Sequence, residues 1–281
     1  MSAIPTLLKA ALPSIPVVNQ LPGVKKAPVD GFTGLTRTRP PVTVERDAVQ
    51  AYAAVCGFPT KDVVPLPYPH LLVFDLQMAI MSDPAFPAPA IGTVHLENSI
   101  TQHRPIAIGE SLAVAASVGA PVPHAKGLVY EFRTAITAGD ELVWEETSAY
   151  LRRGKGTDGA SYGAVFPDAP TAGISWPLPA DLGRRYAGVS GDANPIHLYP
   201  ITAKALGFPR QIAHGMWTMA RCVAALENRL PDAVRVDVAF KKPVLLPGTV
   251  VFGSTPVDQG YAFGLSSPSG KPHLAGRTTA L

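Results

Sequence analysis

YAGVSGDANPIH (186–197) and YAAVCGF (52–58) begin alike and then part. Tyr52 answers Tyr186, Val55 answers Val189 and Gly57 answers Gly191, at a constant offset of 134 residues (52 to 186). Internal repetition is the reading to test first, because it sets the folding unit. Two further matches follow in the same order. His70 of YPHLLVFDLQMAIM (68–81) falls on His214 of IAHGMWTMARCVAAL (212–226), and RPIAIGESL (104–112) is similar to KPVLLPGTV (242–250). Each member of the last pair is a basic residue, a proline and an apolar run before a new strand. Three ordered matches indicate one domain present twice.

The hydrophobic pattern assigns the same elements to each copy. A short helix is expected at 46–57 and again at 181–190. A strongly apolar helix follows at 71–82 and 215–229, and helices apolar nearly all round are buried ones. Strands are expected near 91–104, 111–119, 127–138 and 142–152, then near 233–242, 249–257, 261–266 and 272–280. VRVDVAF (234–240) alternates with the period of a half-buried strand. One buried helix and an antiparallel sheet make an α+β domain with the sheet wrapped on the helix. The boundaries that follow are a first copy over 1–153 with an extended N-terminal segment, a Gly- and Pro-rich linker over 154–180, and a second copy over 181–281. The first 44 residues fall outside the repeat.

Composition narrows the function classes. The chain has 281 residues, 47% hydrophobic and 16% charged, against about a quarter charged in an average domain. Such a surface suits subunit or domain contacts, and a homodimer is compatible with it. The net charge is +3 and scattered, so nothing marks a nucleic-acid surface, and no helix-turn-helix with a basic face is evident. The apolar N-terminus is broken by Pro5, Pro13, Pro16 and Pro22 and does not read as a signal peptide. No apolar run approaches the roughly 20 residues of a membrane span. Two cysteines, Cys56 and Cys222, argue against a disulfide framework, so a cytoplasmic setting is expected.

The copies diverge where chemistry would sit. Phe58 stands where the second copy has Asp192, nothing in the first copy matches Asn194-Pro195-Ile196-His197, and Leu71 stands where Gly215 is. Asn194 precedes a proline and is pushed away from helical angles. The loop is therefore fixed, and can aim Asp192 and His197 at one point. A carboxylate and an imidazole can together hold and deprotonate water, with the Asn194 amide orienting the carboxylate or the water. Gly215 opens the buried helix, where N–H groups lack intrahelical partners and the dipole is positive. A carbonyl oxygen could approach that N–H closely. Losing one such oxyanion donor typically costs about 3–4 kcal/mol.

The stretch 186–216, YAGVSGDANPIHLYPITAKALGFPRQIAHGM, resembles the signature of the MaoC-like dehydratases, the (R)-specific enoyl-CoA hydratases or hydratase 2 enzymes. FKKPVLLPGTV (240–250) is similar to the strand pair that follows it in that family. The resemblance implies a double hot-dog fold with a catalytic C-terminal repeat and a degenerate N-terminal one. It implies Asp192 and His197 as the catalytic pair, Asn194 as the associated amide, and Gly215 as the donor to the thioester carbonyl. The family usually has an acid or amide two positions after the histidine. Tyr199 stands there instead, which places an aromatic ring at the expected pocket entrance. The implied reaction is reversible addition of water to a trans-2-enoyl thioester of coenzyme A or acyl carrier protein, giving the (3R)-hydroxyacyl thioester. It needs no cofactor, because the thioester carbonyl already acidifies C2.

Other signals are weighed against plainer readings. Lys241 and Lys242 could meet substrate phosphates or be exposed strand ends. His214 borders the substrate site by position, but His70 holds the matching place in the other copy, which favours a structural role satisfied by backbone. Asp192, His197 and His214 could in principle hold a metal; no Cys cluster or His-x-x-x-His spacing supports it, and no metal is expected. GASYG (159–163) fits a nucleophile elbow by letters only. Such an elbow needs a strand before it and a helix after it, so Ser161 reads as a loop serine. The rival functions are thioester hydrolysis on the same fold and acyl-thioester binding without turnover.

Overall fold

The computed structural model describes residues 25–90 and 92–281. Residues 1–24, most of the expected N-terminal extension, lie outside the described part. The first copy runs β1 (Gly34–Thr43), α1 (Arg46–Cys56), α2 (His70–Ser82), β2 (Thr93–Gln102), β3 (Ser111–Gly119), β4 (Val122–His124), β5 (Gly127–Ala138) and β6 (Glu141–Arg153). The second runs β7 (Ile174–Leu178), α3 (Leu182–Ser190), α4 (Pro195–Leu198), α5 (Pro200–Ala205), α6 (Gly215–Leu226), β8 (Val234–Phe240), β9 (Gly248–Val257), β10 (Gly260–Ser266) and β11 (Pro272–Ala280).

All these strands join one antiparallel sheet in the order β1-β3-β5-β6-β2-β8-β11-β10-β9-β7, with β4 on β5. Read inward from either end the order repeats, so the two copies meet where β2 pairs with β8. That seam runs from Glu97 opposite Ala239 to Gln102 opposite Val234. The long helix of the first copy packs on β1 and β3, and that of the second on β10.

The matched residues do matched jobs. Gly57 and Gly191 both end their helices in the left-handed region, at φ 80° and 76°. Their N–H groups donate to Ala53 and Ala187 carbonyls, and glycine is the residue that adopts this C-cap without strain. Tyr52 and Tyr186 are both buried and touch one another, ring centroids 6.2 Å apart. Phe58 lies in the core stacked on Tyr52. On the strongly apolar α2, Phe74, Met78 and Met81 are buried, while Leu71 and Leu72 are partly buried against the core.

Two strands stand where extended connections were expected. β1 lies within the first 44 residues, and β7 lies within the stretch 154–180 read as linker, so that stretch is not linker throughout. Both are edge strands containing proline, Pro40 and Pro41 in β1 and Pro177 in β7. Proline removes a ladder donor, so it weakens a strand signal in sequence yet is tolerated at a sheet edge. β1 accommodates its pair with a register shift between Arg39 and Val42. The rest of the stretch is irregular, and Ser161 lies in it with no flanking strand or helix.

Candidate active site

The GDANPIH loop follows directly from the cap at Gly191. The Asp192 carboxylate accepts a hydrogen bond from the Asn194 backbone N–H (3.1 Å), an Asx turn that stiffens the loop. The Asn194 side-chain oxygen accepts from the Ile196 N–H (3.3 Å) and caps α4, with Pro195 at its first position. Asn194 thus orients the acid through its main chain, and its side-chain oxygen serves the helix. α4 sits close on α3 because Gly183 has no side chain; a Cβ there would collide with the His197 carbonyl.

His197 is 7% exposed. Its Nδ1–H donates to the Ile212 carbonyl (2.8 Å). That fixes the tautomer and leaves Nε2 as an acceptor. Burial pushes its pKa below the ordinary 6.5, against the opposing pull of the Asp192 carboxylate. The imidazole is therefore neutral near pH 7, as a base must be.

His214 does more than start a helix. It is the N-cap residue of α6, and its ring stacks on that of His197 at 3.7 Å. Its Nε2–H donates to the Asp192 carbonyl (2.9 Å), and the Asp192 carboxylate oxygen lies 3.8 Å away. It grips both members of the pair from behind. Burial and the neighbouring His197 push its pKa down to about 3. One residue on, Gly215 presents its backbone at the amino end of α6. A Cβ there would come within 3.2 Å of the Phe240 ring, so the glycine keeps the helix start bare and close to that ring.

The ligand atoms of Asp192, His197 and His214 lie within 4.8 Å of one another. They fit a metal poorly. The two imidazoles stack on one another at 3.7 Å with their planes 26° apart. A tetrahedral ion needs converging lone pairs.

The other residues singled out are exposed. Tyr199 is 50% exposed, with the Arg184 guanidinium 5.1 Å above its ring. Lys241 and Lys242 are exposed beyond β8, and the Lys241 ammonium lies 6.0 Å from the Phe166 ring centre.

The first copy holds a polar network that the repeat comparison did not reveal. His70 Nδ1 bonds Glu146 (2.7 Å), and the Asn98 amide donates to Glu146 (2.7 Å) and to Ser148 (2.9 Å). All four are buried. The strand alternation carried a signal: Asn98 is in phase with inward Ile100, and Glu146 and Ser148 with inward Trp144.

The buried neutral histidines set a pH dependence of stability. His214 binds its proton far less readily folded than unfolded. Its contribution is complete above about pH 6.5 and is lost as pH falls towards 3, amounting to about 2 kcal/mol by pH 5. His70, held above its ordinary value by Glu146 despite burial, works in the opposite sense. Urea melts at pH 7.5 and 5 should show the larger wild-type loss at pH 5, and His214→Asn should reduce that difference. A His214→Asn protein with the wild-type pH difference would contradict this.

A family model described as "MaoC like domain" matches residues 167–263. The chain is 36% identical to 3-hydroxyacyl-thioester dehydratase X of Mycobacterium tuberculosis over 287 residues, covering 100% of this chain and 99% of that one. It is 33% identical to an enoyl-CoA hydratase of the same organism over 111 residues, 38% of each chain. The crystal structure of the first relative superposes with a TM-score of 0.79, covering 88% of this chain and 100% of the other. A MaoC-like dehydratase of Phytophthora capsici shares the fold at TM-score 0.70 and 20% identity, covering 90% and 97%. The repeat that folds twice into one sheet, with an acid–imidazole loop in its second copy only, is a double hot-dog, and the chain belongs to the MaoC-like dehydratase family.

Proposed function

We propose that this chain interconverts trans-2-enoyl and (3R)-hydroxyacyl thioesters by adding and removing water, the chemistry of its family, with Asp192 and His197 as the acid–base pair. The observation that carries this assignment is the Nδ1–H bond from His197 to Ile212. It leaves a neutral, acceptor Nε2 beside a carboxylate held by its own loop. In hydration, the pair draws the proton from a bound water as its oxygen adds to C3. Electron density moves through C2 to the thioester carbonyl, whose oxygen is held by the Gly215 N–H at the positive end of α6. The pair returns a proton to C2. Dehydration is the reverse.

The carrier is coenzyme A or acyl carrier protein, and the two copies form a pseudo-dimer with one reacting site per chain. Free, buried Cys56 and Cys222 support operation in a reducing cytoplasm. No helix among the described residues is long and apolar enough to cross a membrane.

The test is the wild-type enzyme on crotonyl-CoA and on a longer trans-2-enoyl-CoA. Loss of enoyl absorbance without thiol release, with the (3R) product by chiral analysis, is expected. Thiol release with a free trans-2-enoic acid as product would make the chain a thioester hydrolase. Tight binding with neither signal would make it a binding protein.

A further inference from the structure

The first copy also reaches the reacting centre, through a ladder of rings that crosses the seam. The Phe240 ring lies under Gly215. His95 of β2 packs on Phe240 with ring centres 4.8 Å apart, and Tyr150 of β6 stacks on His95 at 4.3 Å. Phe132 then meets Tyr150 edge-on at 5.6 Å. Beyond His95 the ladder leads to buried aromatic residues of the first copy. A charged carrier arm must stay in water, so of a thioester held at Gly215 only the uncharged acyl end can lie against these rings.

His95 is the one basic group on that ladder, and its geometry is unusual. The β2–β6 register shifts between His95 and Glu97. Such a bulge re-aims a side chain, and bulges concentrate beside active sites. The ring hydrogen-bonds the Glu97 backbone in a way that favours its protonated form, so a ring N–H donates there. Its Nε2 is enclosed and has no partner among the described residues. Burial first, and the neighbouring His70 charge second, push the His95 pKa down to about 3, although the charges of Glu146 and Asp192 pull the other way. Nε2 is therefore a bare acceptor near pH 7. An enclosed acceptor left empty is costly, and nearly all such groups find a donor.

We propose that His95 Nε2 accepts a hydrogen bond from a hydroxyl carried on the acyl chain beyond the reacting carbons, so that the first copy selects oxygenated acyl thioesters. This rests on the acyl-thioester reading above. A saturated acyl-CoA cannot react, so its binding tests His95 independently of turnover. Saturated acyl-CoAs of one chain length would be titrated calorimetrically, the parent against a series hydroxylated one carbon at a time from C5 outward. The wild type should bind at least one member about five- to tenfold tighter than the parent. His95→Phe, which keeps a ring between Tyr150 and Phe240, should bring that ratio to unity. The ratio is internal to each preparation, so partial unfolding of the variant does not bias it. A wild type with no preference anywhere in the series would overturn the proposal and leave a trapped water as the donor. So would a His95→Phe protein that keeps the preference. Enoyl-CoA hydration measured alongside reports separately on the reaction.

Discussion

Asp192→Asn should lower kcat/KM for enoyl-CoA hydration by about 10²–10⁴, and His197→Ala by a similar factor. Asparagine keeps an oxygen that can accept from the Asn194 N–H, so the loop stays closed while the charge is lost. His197→Ala removes the acceptor Nε2, the bond to Ile212 and the ring on which His214 stacks. The double variant should be little worse than either single one, because groups that act on one proton are not additive. Thermal melts of all three proteins separate lost chemistry from lost structure. Near-wild-type rates in both single variants would remove the acid–base assignment. A double variant slower by the product of the two factors would show that the residues act independently.

Glu146→Ala should destabilise the fold by about 3–5 kcal/mol, the usual result of stripping one partner from a buried ion pair. His70 is enclosed, and Asn98 loses an acceptor as well. In the intact protein burial alone would raise the Glu146 carboxyl, but the His70 charge and the hydrogen bonds from His70 and Asn98 together hold it below its ordinary value. The pair therefore contributes most where both are charged, roughly between pH 4.5 and 6.5. Above that window the His70 contribution fades as pH rises through its raised pKa. Below it, the Glu146 contribution fades as pH falls. Urea melts of wild type and variant at pH 5.5 and 9 read this directly. A deficit below about 1 kcal/mol at pH 5.5 would put the pair with exposed salt bridges.

Much of the fold was legible because repetition compares the chain with itself. A glycine matched at 57 and 191 meant the same helix end twice, and tyrosines matched at 52 and 186 meant the same packing position. The strands in the interior of the sheet announced themselves by alternation. β1 and β7 did not, because their prolines read as breaks, and only pairing with a neighbouring strand makes them strands. At the candidate site, the order Asp-x-Asn-Pro-x-His was visible at once. The division of labour inside it was not. Asn194 was expected to orient the carboxylate or the water; its main-chain N–H holds the acid and its side-chain oxygen caps α4. Tyr199, which stands where the resemblance implies an acid or amide, lies half exposed with the Arg184 guanidinium over its ring.

The sequence by itself determined the duplicated α+β unit, the asymmetry between its copies and the residues of the candidate loop. These follow from local patterns: period, turn chemistry, and a proline that fixes the residue before it. Tertiary structure alone decided which nitrogen of His197 is free, that His214 braces both acid and base, and that His95 stands one ring from Gly215. The first two depend on the packing of the loop and α4 against residues 212–214, and the third on the meeting of β2 and β8 at the seam. Burial then sets the protonation of each imidazole, and burial exists only once the chain has folded.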